Sequence, residues 1–354
     1  MKKLSKVLKE DNIITGYLYF YIHLVTEVVC FFVLSRLLGN SYVLWFIPLL
    51  YDALAFVPQS LFGYFSDKYP KINIGLIGIF ILTIALVLFS VGFNLTISIV
   101  LLCIGNGLIH VNGAEVTLRT SKGKMAHPAI FVGGGSFGVI IGKLLGATRV
   151  SYIVIALISL TMIPFNLLAE EYRKEVEDTK NPCKNFNYHN KKMNVSFVIL
   201  FSVFIVIIRA YMGYGIPTSW NKTVLESILL FSFMGVGKCL GGIMIDIIGI
   251  RKTAIISILA SLPFLCFGDQ IMIISLFGIM LFSMTMAVTL ALLVSTLKKA
   301  PGLAFGLTTI GLFLGTVPIF FYRFTTVLAN CILISILTII CFLMANKITK
   351  EDSK

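Results

Sequence analysis

Apolar runs long enough to cross a bilayer recur along this whole chain, and no other feature restricts its fold so tightly. A bilayer core takes roughly 20 apolar residues per helix, because it holds no water to satisfy an open backbone. Twelve such runs fall at about 13–37, 42–64, 73–92, 95–118, 128–147, 150–168, 194–217, 222–245, 253–268, 271–296, 302–321 and 325–346. Most connections between them are very short. The exception, "EEYRKEVEDTKNPCKNFNYHNKKM" at 170–193, is polar, charged and central. The sequence therefore predicts an all-α integral membrane protein of twelve transmembrane helices. They fall into two six-helix halves, 1–168 and 194–354, joined by a cytoplasmic linker at 169–193. Composition agrees: 58% of residues are hydrophobic and only 13% are charged, against about 25% charged in soluble domains.

Lysine and arginine set the orientation, because cytoplasmic loops retain positive charge. With the N-terminus inside, the inner segments hold 22 of the 29 basic residues, and the outer segments hold only Arg36, Arg149, Lys222 and Arg323. Lys143, Arg209 and Lys238 remain within spans. Both termini are thus expected to be cytoplasmic, in a multi-pass protein of the plasma membrane. The net charge of +13 reflects this topology and is not a nucleic-acid signal.

Several classes of function are disfavoured. Seven scattered cysteines give neither a disulfide framework nor metal-ligand spacing. The charged start "MKKLSKVLKEDN" leads into a run too long for a signal peptide, so the first span is expected to be retained. No stretch resembles a phosphate-binding loop, which speaks against ATP-driven transport. No nucleophile and base recur near one membrane depth, so an enzyme is not expected. No cofactor is expected either.

Two features repeat at half the chain length. Gly63-x-x-x-Asp67-Lys68-x-Pro70-Lys71 matches Gly242-x-x-x-Asp246-x-x-Gly249-x-Arg251-Lys252, with the aspartates 179 residues apart in a chain of 354. Both copies follow the second helix of their half. Gly134, Gly138, Gly142 and Gly146 place a glycine at every fourth residue of the fifth span, and Gly311 and Gly315 repeat the pattern in the eleventh. Residues four apart share a helix face, and small residues there let helices approach closely. Such a stripe either packs tightly or slides. The repeats make the two halves pseudo-symmetric, a frequent ground plan of secondary transporters.

The duplicated loop resembles the signature loop of the major facilitator superfamily, and the resemblance covers the whole chain. It implies two six-helix bundles that rock about a central cavity lined by helices 1, 4, 7 and 10. It also implies that Gly63, Asp67, Lys68 and Lys71, with Gly242, Asp246, Gly249, Arg251 and Lys252, form a latch on the cytoplasmic side. The first copy, with Lys68 where the second has Ile247, is expected to be the stronger. A narrower resemblance lies in "YIHLVTE", "GYFSDKYP" and the glycine-rich fifth span. These are similar to the fosmidomycin-resistance branch of drug exporters, which implies proton-driven efflux. Glu27 stands here for that branch's aspartate, His110-Val111-Asn112 for its His-Pro-Glu, and Lys143 for the proline after Gly142.

Charge inside a bilayer costs about 2.5–3.5 kcal/mol per residue at a helix centre, so each such group needs a partner or a wet cavity. His23 and Glu27 lie one turn apart on helix 1 and either carry a proton or form a fixed pair. Two ligands do not make a metal site, and none is expected. Asp52 either shares the proton coupling or pairs with Lys143 or Arg209. Glu115 is expected to pair with Arg119 at i+4, and His110 is a candidate cavity residue. Arg209 cannot give up its proton and must meet an anion or an ion-pair partner; Tyr211 and Tyr214 accompany it. Lys238 and Lys143 can snorkel to opposite surfaces.

The expected function is secondary active transport of a small organic solute, as proton-coupled efflux by alternating access. The alternatives are uptake of an anionic metabolite by proton symport and a non-transporting receptor. The expected partners are a small-molecule substrate, protons and the lipid bilayer, with the chain acting as a monomer.

Overall fold

A computed structural model of the protein describes residues 13–39, 46–175, 181–321 and 326–349. The basic N-terminal segment, Arg323 and the middle of the linker (176–180) lie outside them. Among the described residues, eleven helices are long and apolar enough to span a bilayer, and a shorter apolar helix completes twelve. In chain order they are α1 (Ile14–Leu38), α2 (Phe46–Lys68), α3 (Ile74–Ser90), α4 (Leu95–Thr120), α5 (Ala126–Gly146) and α6 (Tyr152–Lys174). The second half holds α7 (Val195–Gly215), α8 (Val224–Ile248), α9 (Ile250–Phe267), α10 (Met272–Thr296), α11 (Pro301–Phe320) and α12 (Val327–Ile348).

The helices start where the sequence supplies a side chain for their free N–H groups. Asn73, Asn94, Ser151, Asn194 and Thr326 each accept a backbone N–H in the first turn that follows. Thr223 and Glu226 close a reciprocal capping box at α8, which satisfies two such donors together. Two boundaries differ from expectation. The helix α2 runs through Asp67 to Lys68, so most of the first loop motif is helical. The helix α6 continues past 168 because Glu170 and Arg173 are paired and buried there.

The glycine stripe is a packing face within each half. Methyl groups on Gly134, Gly138, Gly142 and Gly146 would run into the carbonyls of Phe20, Leu24, Val28 and Phe32, one turn after another along α1. In the second half, a methyl group on Gly315 would meet the Ile207 carbonyl of α7, and one on Gly311 the Val206 side chain. Other glycines serve the boundary between halves. Gly63 on α2 meets the Gly302 backbone of α11, and Gly242 on α8 meets the Met125 carbonyl and Ala129 of α5. The halves therefore touch along two related helix pairs, α2 with α11 and α5 with α8.

The described part of the linker is docked. Cys183 N–H donates to the Lys298 carbonyl at 3.2 Å, Tyr188 Oη to the Gly123 carbonyl at 2.7 Å and Asn190 N–H to the Ile348 carbonyl at 2.8 Å. It thus ties together segments of both halves at one end of the molecule, called here the linker end.

Candidate functional site

Halfway along α1 and α4, three side chains converge. His23 Nε2 is 2.9 Å from His110 Nε2, and Glu27 Oε1 is 3.1 Å from His110 Nε2 and 3.6 Å from His23 Nε2. All three residues are buried. The rings are fixed from behind: His23 Nδ1 bonds the Phe131 carbonyl of α5 at 2.9 Å, and His110 Nδ1 bonds the Asn106 carbonyl one turn earlier in α4 at 2.9 Å. Room for the His23 ring comes from Gly135, where a methyl group would strike it. The i,i+4 pair of α1 was legible in the sequence; the third member, His110, arrives from 87 positions away.

A carbonyl oxygen only accepts hydrogen bonds, so each Nδ1 must carry its ring's hydrogen. In neutral rings both Nε2 atoms are then lone pairs. With the ionised carboxylate, three acceptors face one another with no donor among them. Such a cluster holds together only around a shared cation, the simplest being a proton.

Two cations lie inside the second half. Lys238 lies midway along α8, partly buried and within electrostatic reach of both Glu27 and Arg209. It therefore faces the interior and does not snorkel to the linker end. Arg209 of α7 lines a small cavity with Met212, Ile258, Phe282, Thr285, Thr338 and Cys341. Its Nε is buried without a hydrogen-bond partner. Among the described residues, neither Lys238 nor Arg209 has a salt-bridge partner.

Asp52 is half-buried and within electrostatic reach of Glu27. It pairs with neither suggested partner. Lys143 instead sets its ammonium over the rings of Phe31 and Phe231, at 5.6 and 4.9 Å. Tyr211 is half-buried and Tyr214 exposed.

At the linker end, the two repeated aspartates make matching contacts across the halves. Asp67 accepts the N–H groups of Gly302 and Leu303 at 3.0 and 2.9 Å, in the first turn of α11. Asp246 accepts those of Met125 and Ala126 at 2.9 Å each, at the start of α5. A carboxylate there meets both free N–H groups and the positive end of the helix dipole. The basic residues of the motif turn elsewhere. Lys68, Lys71 and Lys252 are exposed, and Arg251 donates to the Asn346 side chain of α12 at 2.8 Å. Gly249 has φ of 92°, a left-handed value that explains glycine at that position. Among the described residues, the first copy adjoins a buried ion network: Arg119 is 3.9 Å from Asp67 and 2.7 Å from Glu115, and Arg173 joins Glu115 to Glu170. In the second copy, Tyr188 Oη donates to Asp246 at 3.4 Å. The Glu115–Arg119 pair expected at i+4 is present.

Comparison with solved structures places this architecture. The human organic anion transporter MFSD10 (TETRAN) aligns over 95% of this chain and 100% of its own, with a TM-score of 0.66 at 11% identity. The chain has the major facilitator fold. A point variant of the Escherichia coli fucose:proton symporter FucP aligns over 94% of this chain and 97% of its own, with a TM-score of 0.64 at 14% identity. FucP in the outward conformation gives 0.63 at 13% identity, with the same coverage. At such identities the likeness is one of fold. These major facilitator neighbours are transporters, not enzymes. No family model matches the sequence, and no curated protein matches it.

Proposed function

We propose that this protein is a secondary transporter that moves a small organic anion together with protons by alternating access of its two halves. The observation that carries the reading is the pair of mid-membrane cations, Lys238 and Arg209, which stand within electrostatic reach of each other and, among the described residues, have no carboxylate of their own, with Lys238 also within reach of Glu27. Two like charges within reach of each other, away from bulk water, cost free energy that an anion between them relieves. The neighbouring organic anion transporter and proton symporter support both parts.

Coupling follows from the sign of the charges. Glu27 and the substrate anion both attract Lys238 and repel each other. A proton taken up by the cluster removes that repulsion, so proton and anion favour each other's binding, and the effect is reciprocal. Such linkage drives symport. The Asp67 and Asp246 contacts then hold the linker end, read as cytoplasmic from the basic-residue bias, in its closed state.

Reconstituted into proteoliposomes, the protein should accumulate one of a panel of small carboxylates and sulfonates when the outside is made acidic. Glu27→Gln should keep anion counterflow and lose its pH drive. Uphill transport by Glu27→Gln would remove the cluster from the mechanism. A second reading, proton-driven export, is favoured by the likeness of the α1 and α5 motifs to the fosmidomycin-resistance branch. It predicts uphill flux into inverted vesicles with an acidic lumen.

A further inference from the structure

We propose that His23, Glu27 and His110 also form a binding site for a divalent transition-metal ion of the zinc class, with a fourth position left to water or an external donor. The triangle of ligand atoms measures 2.9, 3.1 and 3.6 Å. Ligands of a tetrahedral ion held at about 2.0–2.1 Å stand about 3.3 Å apart. Shifts of a few tenths of an ångström would close the three atoms on such an ion.

The surroundings match those of a ligating imidazole, which commonly gives its second N–H to a carbonyl that fixes the ring and aims its lone pair. Both rings do so, through the Phe131 and Asn106 carbonyls. The same bonds leave three acceptors at the centre and no donor, an excess that a dication satisfies as well as a proton does. Two imidazoles and one carboxylate suit Zn²⁺ or Co²⁺, whereas Mg²⁺ and Ca²⁺ take oxygen ligands. Asp52 stands within electrostatic reach of Glu27, and Lys238 opposes a cation there. The ion and the shared proton need the same three atoms and exclude each other. The site itself rests on ligand geometry and stands whatever solute the protein carries.

The test is a titration of the full-length protein, purified in detergent, with Co²⁺ followed by visible absorption and Zn²⁺ as competitor. We expect one Co²⁺ per chain with the intense d–d bands of four-coordination, displaced by Zn²⁺. His23→Ala, His110→Ala and Glu27→Gln should each weaken binding by roughly 100-fold or more, beyond the effect of losing an outer hydrogen bond. His189→Ala and Cys239→Ser should leave it unchanged. Zn²⁺ should also raise the unfolding temperature of the wild type alone, as a ligand of the native state must. A wild type with no stoichiometric Co²⁺ and no Zn²⁺-dependent shift overturns the site, even if a variant fails to fold. Unchanged binding in variants as stable as the metal-free wild type also overturns it. Because no transport is measured, the outcome is independent of the anion reading.

Discussion

Asp67 on α2 accepts the backbone N–H of Gly302 on α11 at 3.0 Å, across 235 positions and from one half of the molecule to the other. Asp246 makes the related contact with Met125. Asparagine at either site keeps one acceptor and loses the charge that meets the helix N-terminus, a loss of about 0.3–2 kcal/mol. Both Asp67→Asn and Asp246→Asn should therefore shift the population towards opening at the linker end. Spin-label distances across that end would read the shift. Asp67→Asn should have the larger effect, since the charged Arg119 and its buried network stand beside that carboxylate, whereas Asp246 has the neutral Tyr188 hydroxyl at 3.4 Å. Equal effects would mean that the N–H contacts common to both copies account for the whole device.

Three helix glycines permit a comparison in which the sign changes. Gly138→Ala puts a methyl group on the Leu24 carbonyl, and Gly315→Ala does the same at Ile207. Each should destabilise by about 1–3 kcal/mol, the usual cost of overpacking. Gly213, inside α7, has nothing within 4 Å of an added methyl. Gly213→Ala should instead stabilise by roughly 0.5–1 kcal/mol through helix propensity. Thermal unfolding in detergent checks all three. Gly135→Ala adds a further consequence: by displacing the His23 ring it should impair pH-driven transport more than counterflow.

These glycines show how far the sequence could be read. Spans and stripe were legible because bilayer thickness and the four-residue helix repeat are written directly into spacing. The same holds for His23 with Glu27 and for Glu115 with Arg119, each pair one turn apart on one helix. Contacts between helices leave no such trace. Nothing in the spacing joined His110 to His23, and nothing identified Gly302 as the partner of Asp67, since that partner is a backbone N–H, which every residue but proline carries. The surroundings of Lys238 are hidden for a related reason. Depth along α8 follows from counting residues, but electrostatic reach to Arg209 and Glu27 depends on how α8 packs on its neighbours.

The docked linker gives a pH dependence outside the membrane. His189 Nδ1 lies 2.9 Å from Ser295 Oγ, and burial, then Lys298 and Lys191, hold the imidazole below its ordinary range. A lowered value in the docked state means that docking is at full strength above the free histidine value of about 6.5. It weakens as pH falls below that value, because the undocked linker binds a proton more readily. Hydrogen exchange of residues 183–193 should accordingly quicken, relative to intrinsic rates, between pH 7 and pH 5. His189→Gln should flatten that dependence. An unchanged profile in the variant would assign the effect to another group.

The two mid-membrane cations separate a binding role from a structural one. A hydrogen-bonded charge pair with a substrate anion contributes about 1.5–3 kcal/mol. Lys238→Gln and Arg209→Gln should therefore each raise the half-saturating anion concentration roughly 10- to 100-fold. Neither change removes an ion pair within the protein, and each relieves the repulsion between the two cations. The unfolding temperature of the substrate-free protein should thus hold or rise. Cations that stabilised the fold would give the opposite pattern, a marked fall in unfolding temperature with half-saturation little altered. Measuring both quantities on the same two variants decides whether Lys238 and Arg209 meet the transported anion.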